Sequence, residues 1–140
     1  MGNGLMRIFL IATITACLLV SAAPVSVQSL SAGQQAFESG DYAAALREWQ
    51  PLAEQGDPYA QYSIGLLYLE GNGVTRDTAE AVKWISMAAA QGNMVARTGF
   101  GMLYATGQGV DKDYAEAAKW LRMAAEQGDP FARYSIGIMY

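Results

Sequence analysis

Apolar residues along this chain recur at helical spacing, and the helices that they predict come in pairs. The first helix of a pair has apolar residues at i, i+4, i+7 and i+8, as at Ala60, Ile64, Leu67 and Tyr68. The second helix has a stripe of its own, as at Ala81, Trp84, Ile85 and Ala88. A glycine-containing loop, Gly71-Asn72-Gly73-Val74, joins the two. The pattern therefore predicts units of helix, loop and helix.

These units repeat with a period of 36 residues, which is marked by Gly56, Gly92 and Gly128. Aligning residues 57–92 with residues 93–128 without a gap gives 18 identities in 36 positions. A fixed period of about 20–50 residues is typical of solenoids, whose units stack on their neighbours. The sequence predicts an all-α fold, an α/α solenoid of helix-loop-helix repeats wound as a right-handed superhelix.

The residues at the ends of the predicted helices support the same division into helix-loop-helix units. Asp57 and Asp77 suit N-caps, and Pro58 suits the first position of a helix. Glu80 follows Asp77 by three residues, which predicts a capping box with Asp in the cap role. Gly65 falls inside the first helix, where glycine costs about 1 kcal/mol relative to alanine. Its recurrence at the same position of each unit indicates close packing between helices.

The N-terminal residues have the layout of a secretory signal peptide. Met1–Arg7 carries one positive charge, Ile8–Val20 is apolar, and small residues precede Pro24. We expect cleavage near residues 22/23 and an exported protein, periplasmic or secreted, with no stable membrane span afterwards. The segment around Cys17 resembles a lipobox, so lipid anchoring at Cys17 is the alternative.

The predicted organisation follows from these signals. It consists of a signal peptide over 1–22, a linker over 23–32, a short repeat over 33–56, full repeats over 57–92 and 93–128, and the start of a further repeat over 129–140. The short unit lacks the long loop, with a first helix over Gln34–Ser39 and a second over Asp41–Gln55. The last helix has no following partner, which predicts a truncated chain or, alternatively, self-association through this uncapped end.

Composition excludes several kinds of chemistry. The chain has no histidine, its one cysteine lies in the predicted signal peptide, and its net charge is −4. Zinc sites of the usual N/S type and Ser–His or Cys–His nucleophiles are therefore excluded from the mature domain. An acidic chain without a Lys/Arg cluster is a poor candidate for binding nucleic acid. We predict no enzymatic activity, no cofactor and no metal.

The repeats resemble the Sel1-like repeat, a relative of the tetratricopeptide repeat with a longer loop between its helices. The motif stands here as Ala60, Gly65, Tyr68, Gly71, Gly73, Val74, Asp77, Ala79, Glu80, Ala81, Lys83, Trp84, Ala88, Ala89 and Gly92, and it recurs from Ala96 to Gly128. The unit over 33–56 looks more like a plain tetratricopeptide repeat. The resemblance implies a bacterial adaptor or scaffold for other proteins. A cysteine-rich branch with reported β-lactam activity does not fit, because the mature chain has no cysteine.

A second apolar stripe on the first helices is the candidate partner-binding surface. It lies opposite the core stripe, and in a solenoid the first helices line the concave surface. A peptide or partner helix could lie on it. The candidate residues are Tyr62, Leu66, Thr98, Met102 and Tyr134. The alternative is that this stripe packs on neighbouring helices. A role in binding an envelope glycan is the alternative function, with tyrosine and tryptophan rings stacking on sugars.

Overall fold

The computed structural model describes residues 25–140, and within this range the chain forms seven α-helices and no strand. The helices are α1 (Val25–Glu38), α2 (Tyr42–Glu54), α3 (Pro58–Glu70), α4 (Thr78–Ala90), α5 (Met94–Thr106), α6 (Tyr114–Glu126) and α7 (Pro130–Met139). Each helix packs chiefly on the helix before it and the helix after it. This order confirms the all-α helical-repeat solenoid. The predicted signal peptide, its cleavage point and Cys17 lie outside the described residues.

The helices begin at the predicted caps. The Asp57 and Asn93 side chains accept from Ala60 N and Ala96 N at 2.8 and 2.9 Å, and Asp77 accepts from Ala79 N and Glu80 N at 3.0 Å. These bonds satisfy backbone donors of the first turn. The reciprocal half of the predicted capping box is wrong: Asp77 N donates to Tyr68 O, and Glu80 instead pairs with Lys83 at 2.8 Å.

The predicted linker over 23–32 is wrong for residues 25–32, which belong to α1, and the first helix begins at Val25 rather than at Gln34. Residues 25–32 are helical because α1 packs on Trp49 of α2. Gly33 is buried, and a Cβ at that position would come within 2.2 Å of Trp49 Nε1. Trp49 Nε1 donates to Leu30 O at 3.4 Å, and Leu30 and Phe37 pack against the core. The indole of Trp49 thus anchors a helix whose own sequence is mostly small and polar.

Within each repeat, a glycine lets the two helices approach closely. A Cβ on Gly65 of α3 would lie 2.5 Å from Ile85 Cγ1 and 3.2 Å from Ala81 O of α4. Gly101 of α5 has the same relation to α6, with Leu121 Cγ at 2.8 Å. Distances below 3 Å are not tolerated in a packed interior without movement. The expected packing role is therefore confirmed for Gly65 and Gly101 and is wrong for Gly137, where a Cβ would meet no atom within 4 Å.

Gly65→Ala is expected to lower the free energy of unfolding by about 1–2 kcal/mol, because overpacking outweighs the gain in helix propensity. Gly137 of α7 is the matched control: it holds the same repeat position, but a Cβ there has no neighbour within 4 Å. Gly137→Ala should instead stabilise the protein, by up to about 1 kcal/mol. Urea denaturation of both variants checks the difference, and a loss of stability in both would contradict this packing role.

Consecutive repeats are joined by a side chain that recurs every 36 residues. Gln61 Nε2, Arg97 Nε and Arg133 Nε each donate to the carbonyl oxygen eight residues earlier, at 3.1, 3.2 and 3.3 Å. These carbonyls lie near the end of the preceding second helix, where few backbone acceptors have an intrahelical partner. Two further bonds extend the pattern, with Gln91 donating to Gln61 at 2.8 Å and Arg97 donating to Gln127 at 3.0 Å.

The long loops pack against the repeat that precedes them. Gly73 and Gly109 have φ angles of 69° and 72°, in the left-handed region that favours glycine. A Cβ on Gly73 would meet the backbone at Tyr42 and Ala43 at 2.8 Å, and one on Gly109 would lie 2.5 Å from Thr78 O. Each loop therefore rests on the start of the previous second helix and helps to fix the stacking of the solenoid.

Candidate protein-binding surface

The first helices of the repeats, α1, α3, α5 and α7, form one side of the molecule, which we call the first-helix face. It consists of the solvent-accessible sides of these first helices. Side chains join its members directly: the Tyr59 hydroxyl of α3 donates to Gln34 Oε1 of α1, and Tyr62 of α3 lies against Gly99 of α5. Two separate grooves open on this face, one at each end of the described residues.

The first groove, here called the aromatic groove, lies between α1 and α3 and encloses about 210 Å³. Its lining consists of Gln34, Phe37, Trp49, Tyr59, Tyr62, Ser63 and Leu66. Trp49 is only 2% exposed, with Phe37 and Tyr59 ring centroids at 5.9 and 6.3 Å. Tyr59 is 43% exposed. Tyr62 and Leu66, two of the predicted binding residues, therefore lie together in an accessible groove.

The other groove, which we call the C-terminal groove, lies between α5 and α7 and is also about 210 Å³. It contains the predicted residues Met102 and Tyr134, together with Ala105, Phe131, Ser135, Ile138 and Met139. Phe131, Tyr134 and Ile138 are between half and two-thirds exposed. The structure thus divides the predicted surface into two grooves.

Thr98 does not belong to either groove, so its prediction as a binding residue does not agree with the structure. The residue is buried, and its hydroxyl donates to Met94 O at 3.2 Å and bonds to the Asp129 carboxylate. Asp129 is the N-cap of α7, where it also accepts from Phe131 N. Thr98 therefore links α5 to the start of α7. For Thr98, packing on a neighbouring helix, which was the alternative, is the correct interpretation.

Sequence reasoning missed the part of the aromatic groove that comes from the first repeat. Gln34, Phe37 and Trp49 line it, but α1 was expected to begin only at Gln34. The signal that could have identified α1 is the spacing of Leu30, Gly33 and Phe37 at i, i+3 and i+7. With a glycine in the stripe, the apolar periodicity is weak.

Tyr62 has an unusual electrostatic environment within the aromatic groove. Burial raises the pKa of its hydroxyl above the ordinary value of 10.0, and the negative charge of Glu70 raises it further. Both effects disfavour the phenolate. Tyr62 therefore stays protonated at pH values at which exposed tyrosines ionise.

We expect the Tyr62 phenol to ionise at higher pH than an exposed tyrosine in an absorbance titration at 295 nm. Tyr62→Phe should remove a component that titrates above pH 10. Because the pKa is raised in the folded state, the contribution of Tyr62 to stability is complete below pH 10 and declines as pH rises above it. Tyr134→Phe is the control, since Tyr134 is 67% exposed. Identical titration curves for the two variants would contradict the assignment.

The described residues were compared with the requirements of a metal site and of a membrane span. Residues 25–140 contain no group of three or more His, Cys, Asp or Glu side chains placed to hold a metal ion. Their ion pairs, Lys83–Glu80 and Lys119–Glu116, are exposed partners within one helix. Over the same range, no helix combines the length and the apolar character that crossing a bilayer requires. The features that remain are apolar and aromatic grooves suited to binding.

The family of the chain is shown by its repeats. The Sel1 repeat model matches residues 58–93 and 96–129, which are the units built from α3–α4 and from α5–α6. The chain therefore belongs to the Sel1 repeat family. Sel1-repeat proteins are generally modules for protein–protein interaction and typically non-catalytic scaffolds.

Solved structures of bacterial Sel1-repeat proteins have the same fold. A Sel1 repeat protein from Oxalobacter formigenes is 40% identical, with a TM-score of 0.67 over 71% of this chain and 41% of that one. A protective antigen of uropathogenic Escherichia coli strains, which displays an SLR fold, is 37% identical, with a TM-score of 0.74 over 83% of this chain and 25% of that one. Cysteine-rich protein B of Helicobacter pylori, 22% identical over 63% of this chain and 66% of that one, shares the fold with a TM-score of 0.61.

Curated relatives match over a shorter stretch. DAP3-binding cell death enhancer 1 of Rattus norvegicus is 40% identical over 50 residues, which is 36% of this chain. The protein of the same name from Mus musculus is 38% identical over 50 residues, again 36% of this chain. The chain spans about a tenth of the length of these two relatives.

Proposed function

We propose that this chain is an exported, non-enzymatic adaptor that binds another protein on its first-helix face. The observation that carries the proposal is the pair of accessible grooves on that face, each lined mainly by apolar or aromatic side chains. Exposed apolar surface in such grooves favours association with a polypeptide, because burial removes it from water. A curated relative that is similar over 50 residues is named DAP3-binding cell death enhancer 1, a name that describes a protein that binds another protein.

Export is part of this proposal and has its own support in residues 1–22. We propose a periplasmic or secreted protein, with lipidation at Cys17 as the alternative. Intact-mass measurement of the processed protein separates the two. A new N-terminus near residue 23 supports soluble export, a mass that includes a diacylglyceryl group on Cys17 supports anchoring, and an unprocessed protein in the cytoplasm would overturn export.

Direct binding tests the adaptor role. A photoactivatable amino acid would replace Met102 of the C-terminal groove in the full chain in its native cells, with Lys119 of α6 as the control position. We expect one polypeptide to crosslink at Met102 and not at Lys119. The purified polypeptide should then bind the purified protein. A second copy of this chain as the adduct would support self-association instead. Binding to isolated polysaccharide without any polypeptide adduct would support the glycan alternative and overturn the adaptor role.

Leu66→Lys is expected to weaken binding of the identified polypeptide by about thirtyfold, since a charge would be buried in the apolar contact. The control is Met87→Lys, which adds the same charge at a 41% exposed residue of α4, on no first helix and in neither groove. Calorimetry measures the affinities, and circular dichroism should show the same helix content for both variants. Equal losses of affinity would contradict a binding role for the aromatic groove.

A further inference from the structure

Two carboxylates flank the aromatic groove. Glu38 of α1 accepts from the Gln34 amide at 2.8 Å, and Gln34 itself lines the groove and bonds to the Tyr59 hydroxyl. Glu70 is the last residue of α3, its charge acts on the groove residue Tyr62, and it accepts from Asn72 at 2.6 Å. Both glutamates are exposed. Neither forms an ion pair among residues 25–140.

The two first helices beside this groove carry no positive side chain. Helices α1 and α3 contain no lysine and no arginine, and their charged residues are Glu38 and Glu70. On α5 and α7 the basic residues are Arg97 and Arg133, whose Nε atoms donate to backbone carbonyls at repeat junctions. Arg76 donates to Leu69 O at the end of α3, at 3.0 Å. Helix α2, which supplies Trp49, carries the exposed Arg47, and the groove combines aromatic rings with carboxylates of α1 and α3 that form no ion pair within residues 25–140.

We propose that the aromatic groove binds an arginine or lysine side chain of the partner polypeptide; this inference rests on the adaptor role proposed above. Tyr59 and Tyr62 line the groove, and an aromatic ring attracts a cation over its face by about 0.5–1 kcal/mol at exposed sites. Glu38 and Glu70 attract the same charge, and the methylene stem of the side chain covers Phe37 and Leu66. A basic residue flanked by apolar residues would therefore interact with the rings, the carboxylates and the apolar side chains together.

A neutral ligand would make fewer favourable interactions in the aromatic groove than a basic one. A proline-rich segment could pack on the aromatic rings, as in other aromatic-lined grooves, but it would gain nothing from the carboxylates. A partner segment with acidic residues at this point would be repelled by Glu38 and Glu70, and placing like charges together costs affinity. Complementary charge therefore favours the basic partner.

Selection from a random peptide library tests the inference without knowledge of the partner. The purified full chain would be used to select displayed dodecapeptides, and the bound sequences would be compared with the starting library. We expect Arg and Lys next to apolar residues to be enriched about threefold or more. The double variant E38Q/E70Q should select peptides without this enrichment. The matched control is Glu54→Gln on α2, an exposed glutamate outside the groove, which removes the same charge and should leave the enrichment unchanged.

The outcomes separate this inference from the adaptor role. Peptides that bind without basic enrichment, or an enrichment that persists in E38Q/E70Q, would overturn the preference for a cation and leave the adaptor role standing. Recovery of no binding peptide by any variant would count against the adaptor role, and the preference would fall with it. Enrichment that is lost in E38Q/E70Q but kept in Glu54→Gln supports the basic side chain as the occupant.

Discussion

Gly109→Ala is expected to lower the free energy of unfolding by about 3 kcal/mol or more, because two independent penalties act at this position. The residue has a φ angle of 72°, which a side chain rarely adopts. Its Cβ would also lie 2.5 Å from Thr78 O and 2.9 Å from Thr78 C, which are backbone atoms that cannot rotate away. The long loop of the second full repeat would have to separate from the start of α4. Denaturant unfolding followed by circular dichroism measures the loss.

Gly40→Ala isolates the conformational part of this effect. Gly40 has a φ angle of 82°, but a Cβ at that position would meet no atom within 4 Å. We expect a loss of only about 1 kcal/mol, which is the cost of the left-handed region for alanine. Equal losses at Gly40 and Gly109 would show that the contact between the loop and α4 contributes nothing to stability.

The repeat architecture could be predicted from sequence because each repeat needs the same residue types at the same positions. Every 36 residues the chain needs an N-cap, a close approach of two helices and a left-handed turn, and each requires particular residue types. Asp77 and Gly65 therefore recur as Asp113 and Gly101 and identify both the period and the packing. The signal is strong because it is repeated, and it is strongest in the two full units.

Helix α1 could not be located in the same way, because the residue that stabilises it lies on another helix. Gly33 and Leu30 give only a weak stripe of their own, and their partner is Trp49 of α2. Trp49 occupies the repeat position that Ile85 and Leu121 occupy in the later units, opposite the glycine of the first helix. A contact with another helix cannot be read from the sequence of α1 itself. Here that tertiary contact stabilises a helix whose own apolar pattern is weak.

The grooves on the first-helix face were predicted only in part, for a related reason. The apolar stripe on the first helices identified Tyr62, Leu66, Met102 and Tyr134, which all line grooves. It did not distinguish Thr98, whose hydroxyl is bonded to Asp129, 31 residues later in the chain. A helical face shows which side chains point in one direction, but it does not show which of them a neighbouring repeat covers.

Trp49→Ala is expected to lower the free energy of unfolding by about 3–5 kcal/mol, and to do so mainly by releasing α1. Trp49 is 2% exposed, occupies the space beside Gly33 and bonds to Leu30 O. In a solenoid each unit contacts only its neighbours, so damage at one end stays local. Hydrogen exchange should therefore show lost amide protection in residues 25–38, with protection retained in α5 and α6.

Trp120→Ala provides the comparison for this local effect. Trp120 is a half-buried residue of α6 that packs on Phe100 at a centroid distance of 5.0 Å. Its loss should cost less stability, and the lost protection should lie in α5 and α6 while α1 keeps its own. Uniform loss of protection along the chain in both variants would contradict the one-dimensional contact pattern.

Because Trp49 also lines the aromatic groove, its variant should lose partner binding at that groove through the displacement of Gln34 and Phe37.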